Sequence, residues 1–263
     1  MKSSRPWNAA EALAETGRLN QEWHEACATC GDRYQGAGDD CPPCSRKKLD
    51  AMMLEEQRSV ISSEIGFARE TLPPWQDWAT FAKLEKHPAM HRRIFEAARD
   101  WRHDAGSLVL IGPTGVGKSA CAHAIAQRIL AAAMATPLGV DWDKQIARRV
   151  ASGMRWVGGS KLALARKQSR LGDGEAYEVK EAIDATLLIV EELGYEQVVG
   201  DGVIFDVINA RYERKRHTIV TSGRSEAELV ERYGAALMRR LREPGTVVDC
   251  HPRNAPTPQG MNR

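Results

Sequence analysis

The 263-residue chain contains no apolar run approaching the roughly 20 residues that span a bilayer, and its N-terminal stretch, MKSSRPWNAAEALAETG, lacks an apolar core of signal-peptide length. A soluble, cytoplasmic protein is therefore expected. Internal repeats and low-complexity tracts are also missing. With 43% hydrophobic and 27% charged residues, the composition excludes a fibrous or fully disordered protein. A strong excess of either charge is missing too: the formal net charge is +2, with the basic excess in the larger, C-terminal part. Such a balance is compatible with a nucleic-acid partner but does not demand one. Cysteine is rare away from one cluster. Cys121 and Cys250 stand alone and read as small buried hydrophobes rather than nucleophiles.

What is present suits one well-buried α/β domain plus a smaller module. Cys27, Cys30, Cys41 and Cys44 form CATC and CPPC pairs separated by ten residues. In a reducing compartment disulfides are disfavoured, and four thiolates at this spacing close a tetrahedral zinc site. A redox pair or unligated thiols are the alternatives. His24 is near enough to be a substitute ligand, although four cysteines suffice. So short a segment cannot bury a core of its own, so Zn²⁺ would supply the folding free energy in a structural role.

Beyond the cluster, Leu49, Met53, Val60, Ile61, Ile65 and Ala68 recur at near-helical spacing until Pro73-Pro74 ends the pattern. This predicts a linker helix and a domain boundary near residue 71. The chain then alternates. Strands are expected at 107–112, 154–158, 185–190, 217–222 and 246–249. Helices are expected at 87–101, about 117–134, from 160, around 202–214, and at 226–241. Short apolar strands interleaved with helices indicate a parallel sheet covered on both faces. The last residues, rich in proline and without apolar periodicity, predict a flexible tail.

Gly112-Pro113-Thr114-Gly115-Val116-Gly117-Lys118-Ser119 fits G-x-x-x-x-G-K-[ST] between a predicted strand and a predicted helix. The glycines let backbone N–H groups face phosphate oxygens, and the helix that follows adds its positive end. Lys118 would neutralise the β and γ phosphates of ATP, with the Ser119 hydroxyl on Mg²⁺. LLIVEE then supplies two acids after a strand: Glu191 on the metal side and Glu192 as the general base for the attacking water. Plain solvated loop acids are the alternative.

With these segments, LPPWQDWATF and GVIFDVINARYERKRHTIVTSGRS, including the Arg211-Tyr212 pair, resemble the AAA+ ATPases of the DnaC/IstB group over roughly residues 72–250. The resemblance implies a P-loop AAA+ parallel sheet flanked by helices, lacking a full lid domain and preceded by a small N-terminal zinc module. The expected organisation is a zinc-binding module at 1–48, a linker helix at 49–71, an ATPase domain at 72–250 and a tail at 251–263. Three departures stand out: Glu191 replaces the usual Asp, the lid is absent as is typical of the group, and Gly223 replaces the sensor-1 Asn. Gly223 leaves Thr221 and Ser222 as partial substitutes for holding the hydrolytic water, or turnover is slow. AALMRRLRE resembles the segment whose arginine reaches a neighbouring subunit's nucleotide, and Arg240 fits best. The alternative is a solvated basic face formed by Arg239, Arg240 and Arg242.

By the same resemblance Trp75 and Trp78 line the adenine pocket, or else pack the linker on the core. Lys161, Arg166, Lys167 and Arg170 lie on a helix that contacts DNA in relatives, though no aromatic residue interleaves to stack on bases and a solvated face is the other reading. The resemblance implies a loader that self-assembles with ATP and Mg²⁺, binds a hexameric replicative helicase and delivers it to single-stranded DNA. A transposition-helper ATPase on double-stranded DNA is the alternative, and an ATP-responsive zinc-bearing scaffold is a third reading.

Overall fold

The computed structural model describes residues 23–24, 26–35, 38–74, 78–136, 145–168, 174–196 and 202–251. Arg170, Trp75 and most of the expected tail lie outside the described residues. The chain divides into two compact units, Met1–Val60 and Ile61–Arg263.

In the first unit β1 (Trp23–His24) and β2 (Tyr34–Gln35) form an antiparallel ribbon. Helix α1 follows at Pro42–Thr71, seven residues earlier than the apolar pattern begins. Its sequence starts Pro-Pro, and proline suits a first helical turn because the amide it lacks would have no intrahelical partner there. That early start places Cys44 on the first turn of the helix. The buried cluster of this unit is Cys27, Tyr34, Cys41 and Cys44.

The second unit is built on a five-stranded parallel sheet in the order β4-β5-β6-β3-β7, made of β3 (Ser107–Ile111), β4 (Met154–Gly158), β5 (Leu187–Glu191), β6 (His217–Ser222) and β7 (Gly245–Asp249). Of its three inner strands β3 and β5 are near-continuous apolar runs because both faces are covered, while β6, HTIVTS, buries Ile219 and Val220 between polar residues. Alternation sorts their side chains. Leu108, Leu110, Leu187, Ile189 and Ile219 face a cluster that includes Ile65 and Ala68 from the end of α1 and Leu72 just after it, Ile94 and Phe95 from α3 (Arg92–Asp100), and Ile125 from α4 (Lys118–Ala135). Val109, Ile111, Leu188, Val190 and Val220 face the other cluster. That side is covered by α6 (Gly159–Gln168), α7 (Tyr177–Asp184), α8 (Val203–Glu213), α9 (Glu226–Tyr233) and α10 (Ala235–Arg242). Short helices α2 (Phe81–Leu84) and α5 (Ile146–Ser152) lie on the first side, with Leu84 and Ala151 in the cluster that holds Ile125 of α4. This is the P-loop AAA+ sheet, and no described helix is long and apolar enough to cross a membrane.

Two expected helices differ from what forms. The one expected over 226–241 is two, because Gly234, at φ 85° and ψ 154°, breaks the ladder between α9 and α10. The one expected from His87 begins at Arg92. Residues 87–90 instead form a turn, and His91 N–H donates to the Val116 carbonyl at 3.2 Å, which ties the segment to the phosphate loop.

Arg211 on α8 is fully buried. Its guanidinium donates to the carbonyls of Ala182 (2.9 Å), Ala185 (2.7 Å) and Ile183 (3.3 Å), which close the C-terminal end of α7. It also donates to Thr218 Oγ1 (2.9 Å) and to the His217 carbonyl on β6. A cation suits the negative end of a helix, so this single side chain fastens α7 and α8 to the sheet.

Candidate functional site

The loop from Gly112 to Gly117 leaves the C-terminal end of β3, where open parallel sheets place their ligands. It is anchored on both sides. Gly112 N–H donates to the Ser222 carbonyl on β6 at 3.1 Å, and Cys250 N–H donates to the Ile111 carbonyl at 2.9 Å. Gly115 and Gly117 adopt φ of 87° and 91°. A Cβ on Gly117 would also meet Met90 Sδ and Cε at 2.5 Å, so only glycine serves there. Lys118 Nζ donates to the carbonyls of Gly112 (2.7 Å) and Pro113 (2.8 Å), and burial holds its pKa below the ordinary lysine value. The loop thus holds the Lys118 ammonium against its own carbonyls.

A cleft of about 630 Å³ opens over this loop. Thr114, Gly115, Gly117, Lys118 and Ser119 form one wall, and Glu192, Tyr195, Thr221, Ser222 and Gly223 another. Trp78, His87 and Met90 close a third side, with the Trp78 and His87 rings 5.9 Å apart and tilted by 30°. Of the two aromatics singled out in the sequence, Trp78 therefore lines the cleft.

Glu192 sits just past β5 at φ 55°, a left-handed conformation uncommon outside glycine and often found at functional sites. Hydrogen bonds from its own N–H to Thr221 Oγ1 (3.2 Å) and from Leu193 N–H to the Thr221 carbonyl (2.9 Å) hold it there. Ser222 Oγ donates to the Leu193 carbonyl at 2.6 Å and accepts from Arg224 N–H at 3.0 Å. Both hydroxyls are buried and fasten the β5 turn to β6. Glu191 lies on the sheet face that carries Leu187 and Ile189, the face against α4. There its Oε2 accepts the Trp156 indole N–H from β4 at 3.0 Å. That hydrogen bond fixes where the carboxylate points, and no spacing in the sequence announces it.

The remaining candidates divide. Arg240 stands on α10 outside the cleft lining. Its Nε donates to Asn209 Oδ1 at 2.6 Å, and its guanidinium lies 5.0 Å from the Phe205 ring centre. Arg166 pairs with Glu175 (2.6 Å) and Asp206 (2.5 Å), and these acids raise its pKa above the ordinary arginine value. Lys161 and Lys167 on the same helix are exposed. Cys121 is buried, its thiol pushed up to about 12, while Cys250 is half-buried with Sγ 3.2 Å from His91 Nδ1.

In the first unit the sulfurs of Cys27, Cys30, Cys41 and Cys44 all lie within 4.8 Å of one another, with Cys30 and Cys41 at 3.7 Å. A tetrahedron with Zn–S bonds of about 2.3 Å has edges of about 3.8 Å, so the donor set is compatible with zinc. Cys41 N–H donates to Cys27 Sγ at 3.3 Å and is the main cause that draws the Cys27 thiol down to about 6. Hydrogen bonding to Cys41 pushes Cys44 up to about 12. A metal ion bound by the four sulfurs would displace their thiol protons. Asp40 accepts from Thr29 Oγ1 (2.7 Å) and pairs with Lys48 (2.5 Å), bracing the turn that carries Cys41.

The family model for IstB-like ATP binding proteins matches residues 44–241. Solved structures similar to this chain include the DnaC helicase loader, at 19% identity and TM-score 0.47 over 67% of this chain and 99% of that one. DnaI is similar at 19% identity and TM-score 0.49, over 67% and 93%. AMPPCP-bound DnaA from Aquifex aeolicus is similar at 16% identity and TM-score 0.48, over 68% and 50%. Among curated proteins none matches. With a family match across most of its length and a phosphate loop at the head of a parallel sheet, the chain belongs to the family of IstB-like ATP binding proteins.

Proposed function

We propose that this protein is an ATP-hydrolysing helicase loader. Its cysteine unit docks on a hexameric replicative DNA helicase, and its ATPase unit drives delivery of that helicase to single-stranded DNA. The ATPase part of the reading rests on one cleft that gathers Lys118, Ser119 and Glu192, with Glu191 on the adjoining sheet face. Loop amides and Lys118 hold the β and γ phosphates, while Trp78 and His87 offer ring faces to the base. Ser119 and Glu191 are the residues that would hold Mg²⁺, which supplies charge neutralisation on the phosphates. Glu192 takes the proton of the attacking water as the bond from the γ phosphorus to the bridging oxygen breaks. Arg240 acts on a neighbouring subunit's nucleotide in an ATP-dependent oligomer, and exposed Lys161 and Lys167 meet the DNA backbone together with Arg166.

The observation that carries the loader reading is the separate unit built around four cysteines, for which a zinc-bearing docking module is the role that the resemblance to DnaI-type loaders implies. The transposition-helper reading keeps its place because the matching family model is that of IstB-like proteins. Native mass spectrometry with the replicative helicase of the same organism, with and without ATP and Mg²⁺, separates them. The loader reading expects a complex with the hexamer that is lost in Cys41→Ser/Cys44→Ser. Absence of a complex in every nucleotide state, with filaments on duplex DNA, favours the helper. Nucleotide binding without turnover, even with helicase and DNA present, favours the scaffold.

A further inference from the structure

Residue 223 follows β6 and lines the same cleft as Lys118 and Glu192, and as glycine it offers no side chain there. The space is not empty. A Cβ built on Gly223 falls inside contact distance of the Tyr195 hydroxyl oxygen and 3.1 Å from Cε2 and Cζ of the same ring. Tyr195 comes from the turn after β5, and its ring is held by the Arg224 guanidinium 5.0 Å from the ring centre. Arg224 is itself fixed by Glu228 at 3.1 Å. The nearby hydroxyls of Thr221 and Ser222 are buried and committed to the Glu192–Leu193 turn. The Tyr195 hydroxyl has no hydrogen bond to any described residue and belongs to the cleft lining.

We propose that the Tyr195 hydroxyl occupies the place of the side chain missing at position 223 and donates a hydrogen bond to the γ-phosphoryl group. This inference rests on the reading of the cleft as an ATP site. In the hydrolytic step water oxygen bonds to the γ phosphorus, the bond to the bridging oxygen breaks, its electron pair leaves with ADP, and the water proton passes to Glu192. Tyr195 transfers no proton. It stabilises the negative charge on a γ-phosphoryl oxygen, a contact that ADP cannot make.

The test compares ATPγS and ADP affinity, together with phosphate release, in the full-length wild type, Tyr195→Phe, Tyr195→Ala and Tyr195→Ala/Gly223→Asn. A hydrogen bond to a charged group corresponds to about 10- to 100-fold. Tyr195→Phe and Tyr195→Ala should lose about that factor in ATPγS affinity and in turnover, with ADP affinity unchanged. The backbone at Gly223 lies outside the left-handed region, so it admits Asn once the ring is removed. The double variant should recover much of the loss, which a merely structural role of the ring would not predict. Equal ATPγS-to-ADP ratios in wild type and Tyr195→Phe, or a double variant that recovers nothing, would overturn the proposal. A wild type that binds neither nucleotide would instead overturn the reading of the cleft itself, and a normal ATPγS preference indifferent to residue 195 distinguishes the two failures.

Discussion

Replacing Arg211 by Met removes a fully buried guanidinium while keeping much of its aliphatic volume. Burial draws this group down to about 9, so it is charged at neutral pH. The variant strips donors from the carbonyls of Ala182 and Ala185, at 2.9 and 2.7 Å, and from Thr218 Oγ1 at 2.9 Å. It also removes the longer bond to Ile183 and the one to His217. Each buried acceptor left without a donor costs about 1–3 kcal/mol. Release of the guanidinium into no charge at all recovers part of that, because the desolvation penalty of the cation disappears. Summed over these acceptors and offset by that recovery, a net loss of roughly 3–5 kcal/mol results. For a unit of this size that corresponds to a fall in Tm of about 10 °C. Urea unfolding followed by circular dichroism measures it directly, with the slope unchanged if the denatured state is the same. A loss below about 1 kcal/mol would refute the idea that Arg211 fastens α7 and α8 to β6.

Stripping zinc with a strong chelator should unfold the first unit, seen as lost protection of residues 26–48 in hydrogen exchange, while amides of β3, β5 and β6 stay protected; retained protection at 26–48 would mean the four cysteines need no metal. Arg240→Ala should abolish any rise of ATPase rate with protein concentration and cost under about 1 kcal/mol of stability, since its contacts are half-exposed. A rate that still rises would exclude Arg240 as the arginine acting between subunits. Arg166→Ala/Lys167→Ala should weaken single-strand binding and flatten its dependence on salt by about one to two phosphate contacts. Fluorescence anisotropy across a salt series reads both, and an unchanged slope would remove α6 from the DNA path.

Local patterns carried much of this molecule. The strands at Ser107–Ile111 and Leu187–Glu191 fall on the apolar runs that predict them, because inner strands of a parallel sheet bury short apolar stretches. The phosphate loop was equally legible, since its glycines are dictated by a backbone path and not by a distant contact. The four-cysteine spacing likewise brings four sulfurs together. What escaped the sequence depends on neighbours far along the chain. Trp156 reaches Glu191 only because β4 and β5 pair with Gly158 beside Glu191. Tyr195 meets Gly223 only because the turns after β5 and β6 converge at the cleft. Arg211 read as half of an Arg-Tyr pair, and nothing in its neighbourhood of sequence tells that it closes the end of α7. Short α2, α5 and α7 have too few turns to show a period, and the break at Gly234 hides inside a pattern that is helical on both sides.

The account stands most directly on phosphate release by Glu192→Gln measured beside its affinity for ATP. A general base positioned over the phosphate loop contributes about 10²- to 10⁴-fold. The variant should therefore bind ATP as the wild type does while hydrolysing it at least about 100-fold more slowly. Hydrolysis at the wild-type rate would contradict the assignment of this cleft as a catalytic ATP site built on Glu192.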